Sequence, residues 1–363
     1  MNNKEQLYQI AFSLIRGVGP KRGSSLLASL EDPERVFKED PRLLSSLTGF
    51  SADFFRLSNL IEPLEQAEKE LNFILKNGIQ THFYSNENYP RRLRQCADGP
   101  LMIYSRGDFD PNAEKVLAVV GTRDCTSYGE RIVKNMMRDL SGQGIQIVSG
   151  LAYGIDILAH RNALEQNIST VGVMGNSLDR IYPFSHRFDA KEMMKNGGLI
   201  SEFISGTKPD RENFPMRNRI VAGMSDAVVV VESKLSGGSL ITADLALDYN
   251  RDVFAFPGSV ESETSHGCND LIKKNKAQLI SSAEELLKWM GWNSQTKTKQ
   301  TMVYQNVSHE EAEILSALQN GELQIDLLSA QTSRSIRELN PILFNLELKG
   351  LVRSLPGTKF SCQ

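Results

Sequence analysis

Between residues 79 and 292, short runs of apolar residues alternate with longer amphipathic stretches. The runs include KVLAVVGTR, IQIVSG, TVGVMG, DAVVVVES and DVFAFPG, and the stretches between them include GERIVKNMMRDLSGQG and LITADLALDYN. Strands that read as continuous Val, Ile and Leu runs are typical of a parallel sheet covered by helices on both faces. The pattern predicts a doubly wound α/β domain, whose ligands bind at the carboxyl ends of the strands.

Residues 1 to 78 have a different, helical pattern, which predicts a separate N-terminal domain of SAM-like or helix-hairpin-helix-like type. Gly17, Val18 and Gly19 lie between two amphipathic segments. Such a turn can offer backbone N–H groups to a nucleic-acid phosphate, but it also serves as a plain turn that packs two helices. The sequence leaves both interpretations open.

The C-terminal part predicts a polar linker at 293–307 and a winged-helix domain at 308–363. Three helical segments, SHEEAEILSALQ, IDLLSAQ and SIRELNPILFNLELKG, precede the hairpin LVRSLPGTKFSC. The third helix carries Arg334 and Arg337 near its start but also Glu338 and Glu347, so it is less basic than a DNA-reading helix. We favour a protein-contact or accessory role for this domain over sequence-specific DNA reading.

Composition and charge exclude several classes of protein. The net charge of −3 gives no global attraction to nucleic acid, so polyanion binding depends on local clusters of Arg and Lys. The four cysteines and five histidines are scattered without metal-ligand spacing, which predicts free thiols and no metal site. We recognise no signal peptide and no apolar run long enough for a membrane span, and therefore expect a cytoplasmic protein without a membrane partner.

Glycine-rich polar turns follow several of the predicted strands. Each can direct backbone N–H groups and a helix N-terminus at an anion. Four such turns in one domain favour a phosphate-bearing ligand over ordinary helix caps. They contain Gly121, Thr122 and Arg123; Ser149 and Gly150; Gly175, Asn176 and Ser177; and Ser236 to Ser239.

A second cluster of cationic residues lies in the segment SGTKPDRENFPMRNRIVAG. Its basic members are Lys208, Arg211, Arg217 and Arg219, and Phe214 lies among them. Arginine matches phosphate geometry and an aromatic ring offers a face on which a base can stack. We favour a binding role over the alternative, a solvated basic loop with Phe214 in the core.

The sequence supports catalytic interpretations less well than it supports binding. Asp156 and His160 are one helical turn apart and Ser149 is near in sequence, but no nucleophile elbow accompanies them, and such a pair is more often a structural hydrogen bond. The stretch SGGSLITA is comparable to sites that cleave nucleotide N-glycosidic bonds, which need a nearby carboxylate. The first acid after it is Asp244, so the sequence predicts a groove for phosphates without a reaction centre.

These segments together resemble the DNA-processing protein A family, also called DprA or Smf. The residues that carry the resemblance span most of the α/β region and are YPRRLRQCADGPLMIYSRG, VVGTRDCTSYG, VSGLAYGIDILAH, YPFSH, LISEF, FPMRNRIVAGMSD, SGGSLITADLA and VFAFPGS.

The resemblance implies an extended Rossmann-like domain that binds single-stranded DNA without sequence preference. It also implies a homodimer that protects incoming DNA and loads the RecA recombinase onto it in natural transformation, with no cofactor and no catalysis. The DNA-binding residues that it implies are Gly121, Thr122, Arg123, Ser149, Gly150, Arg211, Phe214, Arg217, Asn218, Arg219, Ser239 and Thr242.

Two other functions stay as alternatives at this point. One is a nucleotide-hydrolase-like enzyme of the phosphoribohydrolase type that acts on nucleoside monophosphates, for which the carboxylate after the glycine stretch is missing. The other is an interaction scaffold whose winged helix is the active part.

Overall fold

The structure is a computed structural model that describes residues 3–292, 308–318, 323–332, 334–349, 351–355 and 358–362. The chain divides into two compact units, residues 1–293 and 294–363. The predicted linker at 293–307 lies outside the described residues. No helix in the described part of the chain has the length and apolar character needed to cross a membrane.

Five helices precede the sheet of the first unit. They are α1 (Asn3–Leu14), α2 (Pro20–Leu30), α3 (Glu34–Lys38), α4 (Pro41–Thr48) and α5 (Leu57–Asn77). The glycine turn between α1 and α2 requires a left-handed backbone at Gly17, whose φ is +86°. An added Cβ at Gly23 would lie 2.2 Å from Leu101 Cδ1, so this glycine lets α2 pack closely against the segment before the second strand.

The remaining α-helices of this unit lie between its nine strands or after the last of them, although β3 follows β2 directly. The helices are α6 (Arg91–Arg94), α7 (Ser127–Leu140), α8 (Ile155–Glu165), α9 (Arg187–Met193), α10 (Asn213–Met224), α11 (Gly238–Asp248), α12 (His266–Lys273) and α13 (Ala283–Trp289). The strands are β1 (Gln80–Phe83), β2 (Met102–Asp108), β3 (Lys115–Val120), β4 (Ile145–Gly150), β5 (Thr170–Val173), β6 (Gly197–Ser201), β7 (Ala227–Val230), β8 (Asp252–Ala255) and β9 (Gln278–Leu279). The predicted boundary at residue 78 falls between α5 and β1.

The sheet has the strand order β1-β2-β6-β5-β4-β3-β7-β8-β9. Strands β3 to β9 are parallel, as predicted, and the chain order reverses between β3 and β7. Strand β2 differs from the prediction because it runs antiparallel to both β1 and β6. Only residues 109–114 join β2 to β3, too few for a crossover, which needs about a dozen residues.

Both faces of the sheet are buried, which explains why its strands read as continuous apolar runs. On β3, Val116 and Ala118 face the layer of α10 and α11, where they pack with residues such as Ile220. Leu117 and Val119, which alternate with them, face the layer of α7 and α8. Each residue of such a strand therefore contributes to one of two hydrophobic layers.

The second unit contains three helices and a small sheet. The elements are α14 (His309–Leu318), β10 (Leu323–Gln324), α15 (Ile325–Thr332), α16 (Ile336–Leu348), β11 (Val352–Leu355) and β12 (Lys359–Cys362). Strands β10 and β11 both pair antiparallel with β12. Leu315, Leu328, Leu339 and Leu343 are buried in its core. The winged-helix prediction is confirmed for this unit.

A partly buried ion pair fastens α6 to the starts of β3 and β7. Arg92 Nε lies 2.5 Å from Asp226 Oδ1, and its Nη2 lies 2.8 Å from Oδ2. Arg92 also donates to the backbone oxygens of Ala113 and Glu114, while Asp226 accepts from the backbone N–H of Val116. The guanidinium therefore has most of its donors satisfied inside the protein.

We expect Arg92→Ala to lower the free energy of unfolding by about 3 kcal/mol, because it leaves Asp226 without its buried cationic partner. The matched control is Arg138→Ala, which removes an exposed arginine paired with Asp139 and should change stability by less than about 0.5 kcal/mol. Urea unfolding followed by circular dichroism measures both. Equal losses in the two variants would contradict this account of the pair.

Candidate functional site

A pocket opens at the carboxyl ends of β3, β4 and β5, beside the point where the strand order reverses. In a doubly wound sheet this is where ligands bind. The first turns of α10 cover one side of the pocket, and the segment between β5 and α9 covers another. The residues that line it include Arg123, Leu151, Tyr153, Gly175, Tyr182, Pro183, Phe214 and Arg217.

The base of the pocket is formed by Arg217, which comes from the second turn of α10. Its side chain is 6% exposed and lies 3.8 Å from Asp156 Oδ2, beyond hydrogen-bonding distance. Among the described residues, Arg217 Nε is buried without a hydrogen-bond partner. Burial lowers the pKa of Arg217 and raises the pKa of Asp156, because desolvation outweighs their mutual attraction. The guanidinium is therefore a buried cation with unused donor capacity.

Gly150, the last residue of β4, makes room for this arrangement. A Cβ on Gly150 would lie 1.6 Å from Arg217 Nη1 and 2.3 Å from Asp156 Oδ2. Any side chain here would expel the guanidinium from the pocket base. The contribution of Gly150 is therefore space for Arg217.

The turn after β3 carries Gly121, Thr122 and Arg123. Thr122 donates its backbone N–H to Glu232 O at 2.7 Å and accepts from the N–H of Ile155 at 3.1 Å. A Cβ on Gly121 would lie 2.4 Å from Ile155 Cγ1, so the turn lies directly against the start of α8. These contacts hold the turn in place and leave the Arg123 side chain exposed at the pocket mouth.

Glu232, which follows β7, holds the far end of the same turn. It is 1% exposed and accepts from Thr126 N at 2.9 Å, Thr126 Oγ1 at 2.7 Å and Thr264 Oγ1 at 3.1 Å. Burial and the neighbouring Glu232 raise the pKa of the Cys125 thiol to about 12, which keeps it protonated. Sequence reasoning missed Glu232, because its position directly after an apolar run gave no sign of its partners.

Phe214 forms one wall of the pocket. Arg123 Cζ lies 5.7 Å from the centroid of its ring, which is within cation–π distance. The ring of Tyr182 lies 5.9 Å away at an interplanar angle of 39°. A Cβ on Gly175 would lie 2.9 Å from Phe214 Cδ1, so this glycine admits the ring. Phe214 is half-buried, between the two alternatives that the sequence offered.

Of the predicted residues on α10 and in the turn before it, three do not line this pocket. Arg219 is on another face of α10, where it donates to the carboxylate of Glu202 and to the backbone oxygen of Asp98. Asn218 donates to Gly238 O at 3.4 Å, next to the start of α11. Arg211 is exposed in the turn before α10.

The predicted small donors are buried inside the protein, and two of them have hydrogen-bond partners there. Ser149 is fully buried and donates to Val119 O at 2.6 Å. Ser239 is 6% exposed and donates to Ser233 Oγ at 2.8 Å, and Thr242 is 2% exposed. In this structure they support the strands and α11, and the pocket surface is formed by other groups.

His160 is buried in the structure, away from solvent. Its Nε2 donates to Gly150 O at 2.6 Å, and its Nδ1 accepts from the Thr170 hydroxyl at 2.7 Å. Burial lowers the pKa of His160 to about 4, so the ring is neutral near pH 7. Both ring nitrogens are occupied, which leaves none to activate Ser149.

The structure adds aromatic residues that sequence reasoning did not assign to the site. Tyr153 and Tyr182 line the pocket and are about half exposed, and Tyr153 stacks edge-on against His186 at 4.8 Å. They come from the segments that carried the family resemblance, and that resemblance was the available signal. In the described residues, no three His, Cys, Asp or Glu side chains are grouped so as to hold a metal ion.

The family model for DNA recombination-mediator protein A matches residues 80–291, more than half of the chain. The chain belongs to this family. The DprA winged helix domain matches residues 299–358, which covers most of the second unit.

Relatives within the DprA family cover much of the chain. Protein Smf from Synechocystis is 32% identical over 404 aligned residues, with 99% of each chain covered. The DNA processing protein DprA from Bacillus subtilis is 36% identical over 69% of this chain and 86% of its own.

Two solved DprA structures are also similar. The X-ray structure of the Streptococcus pneumoniae protein has a TM-score of 0.66 and 31% identity, and covers 78% of this chain and 97% of its own. The Helicobacter pylori protein, described for its single-stranded DNA binding mode, has a TM-score of 0.53 and 32% identity, with coverages of 58% and 95%.

The buried His160 predicts a pH dependence of stability. An unfolded histidine titrates near 6.5, so between pH 6.5 and the folded value of about 4 the unfolded chain binds more protons. The free energy of unfolding should therefore fall as the pH is lowered through this window, by about 3 kcal/mol from this residue alone. Urea unfolding at a series of pH values measures it. The loss should be smaller in His160→Gln and unchanged in His266→Gln, a half-buried control.

Proposed function

We propose that this protein binds single-stranded DNA at the pocket formed by Arg123, Phe214 and Arg217, without sequence preference and without catalysis. The observation that carries the proposal is Arg217, a buried guanidinium with an unpartnered Nε beneath the pocket. A phosphate oxygen that reaches it gains a charge-assisted hydrogen bond in a desolvated site.

The preference for a single strand follows from the aromatic walls. Phe214 and Tyr182 offer ring faces beside the two arginines, so a base can stack while its phosphate meets a guanidinium. Stacking of this kind needs an unpaired base, whose face is accessible. Because every base has a stacking face, the site gives affinity without reading sequence. The Helicobacter pylori relative, described for its single-stranded DNA binding mode, supports this assignment.

Three groups that could take part in hydrolysis are engaged in contacts within the protein. The carboxylate of Glu232 accepts three hydrogen bonds, and both ring nitrogens of His160 are occupied. Asp244, the first acid after the glycine stretch, forms an ion pair with Lys276 at 2.7 Å. We therefore propose a binding protein in place of an enzyme acting on nucleoside monophosphates.

Some of the predicted residues that do not line the pocket keep a place in this proposal. Arg211 is exposed beside the first turn of α10, where it can meet a neighbouring phosphate. Asn218, which lies on α10 and donates to Gly238 O at the start of α11, can do the same where the helix N-terminus favours negative charge. Gly121, Thr122 and Gly150 act by holding Arg123 and Arg217 in position.

Removing Arg123 tests the binding proposal. Arg123→Ala should weaken binding to oligonucleotides of any sequence by roughly tenfold, and should lower the salt slope of log affinity by about 0.7 per lost phosphate contact. Arg138→Ala, which removes an equal charge from the last turn of α7, should leave both unchanged. Fluorescence anisotropy with labelled single strands measures both quantities. Wild-type affinity in Arg123→Ala would overturn the assignment of this pocket.

Membership in a family of recombination mediators supports a second part of the proposal. The protein acts as a homodimer that protects incoming DNA and loads the RecA recombinase onto it during natural transformation. Because loading requires DNA held at the pocket, we expect wild type to speed RecA filament formation on single strands and Arg123→Ala to fail. RecA ATP hydrolysis, with Arg138→Ala as control, measures this. Equal stimulation by Arg123→Ala and Arg138→Ala would show that RecA loading does not depend on the pocket.

A further inference from the structure

Two aromatic rings and an arginine beside the pocket are unused by the site described above. Phe184 and Phe188 are 69% and 66% exposed, although both are large apolar side chains. Arg187 Cζ lies 4.5 Å from the Phe184 centroid and 4.2 Å from the Phe188 centroid. We call these three residues the Phe184–Phe188 patch. The guanidinium holds both rings in position at the surface by cation–π contacts.

The patch is continuous with the pocket. Tyr182 and Pro183, which line the pocket, directly precede Phe184 in the chain. The hydroxyl of Tyr153, another lining residue, lies 3.0 Å from Ser185 Oγ. The aromatic surface that begins at Phe214 therefore extends through Tyr182 to the patch. A chain of nucleotides that leaves the pocket on this side meets the patch next.

The charge of the patch favours a polyanion as its occupant. Arg187 forms no ion pair within the described residues, so its positive charge is left uncompensated by a carboxylate. Asp189, the nearest acid in sequence, is engaged by Arg161 through contacts of 2.8 and 3.0 Å. Surfaces that bind single strands combine exposed aromatic faces with positive charge, and the patch has both.

We propose that the Phe184–Phe188 patch is a second nucleotide subsite, which stacks unpaired bases of the strand that leaves the pocket. The proposal rests on the proposed function of the pocket, since it concerns the same DNA strand. Phe184 and Phe188 supply the stacking faces, and Arg187 contacts the phosphate that links the stacked nucleotides. The contribution of the patch to affinity should therefore depend on the length of the DNA, because a short strand fills the pocket without reaching the patch.

Binding of oligothymidylates of about 20 and about 4 nucleotides to the full chain tests the subsite. Phe184→Ala/Phe188→Ala should weaken binding of the long strand by at least about fivefold and change binding of the short one by less than about twofold. The matched control is Trp289→Ala. This exposed aromatic residue lies near the starts of β8 and β9, at the opposite edge of the sheet, and its loss should affect neither strand.

A conservative variant distinguishes loss of binding through lost stacking from loss of binding through misfolding. Phe184→Tyr/Phe188→Tyr keeps both ring faces and should retain the affinity of wild type for the long strand. Photocrosslinking of wild type to a strand containing 5-iododeoxyuridine gives an independent readout, and should join DNA to the peptide that contains Phe184 or Phe188. Absence of that crosslink, when the pocket peptide with Phe214 is crosslinked, would overturn the subsite.

The outcomes distinguish this inference from the proposed function. If wild type binds neither strand, the function of the pocket fails and the subsite fails with it. If wild type binds both and the double alanine variant loses nothing on the long strand, only the subsite fails. A variant with unchanged DNA affinity but altered mass in sedimentation would instead assign the patch to contacts between copies of the chain, which also overturns the subsite.

Discussion

The incomplete pairing of Arg217 with Asp156 is the interaction from which the character of the site follows. The two groups are buried and 3.8 Å apart, so each is desolvated while neither is fully satisfied. A buried ion pair with poor geometry is costly, and an arriving phosphate can lower that cost by supplying the missing acceptor. Gly150 makes this possible, because a side chain there would occupy the space of the guanidinium. The end of β4, the second turn of α10 and the pocket therefore all accommodate the guanidinium of Arg217.

The parallel sheet delivers the other components to the same place. Because β3, β4, β5 and β7 end at one edge, the turns after them meet there. Glu232 at the end of β7 holds the turn after β3, which in turn presents Arg123. Glu232 and His160 of this edge are engaged in holding the fold. This geometry supports the proposed recognition of a phosphate chain.

Much of this could be predicted before the structure. The apolar runs predicted the doubly wound sheet, because strands buried on both faces cannot alternate with polar residues. The motifs predicted membership in the DprA family, which is confirmed. The phosphate site that the glycine turns predicted at the strand ends stays a prediction. The antiparallel direction of β2 was missed, since apolar runs indicate burial but carry no information about strand direction. The short connection at 109–114 was the available clue.

The sequence by itself determined the fold class, the edge of the sheet that carries the candidate site, and the residue types gathered there. Only the tertiary structure decided which members of each cluster meet. Arg217 and Arg219 are two residues apart, yet one lies in the pocket and the other contacts Glu202. The reason is helical geometry, because positions two apart on a helix point in nearly opposite directions, and packing against the sheet selects one of them. The tertiary structure also leaves Phe184 and Phe188 exposed, which their apolar character alone would not suggest.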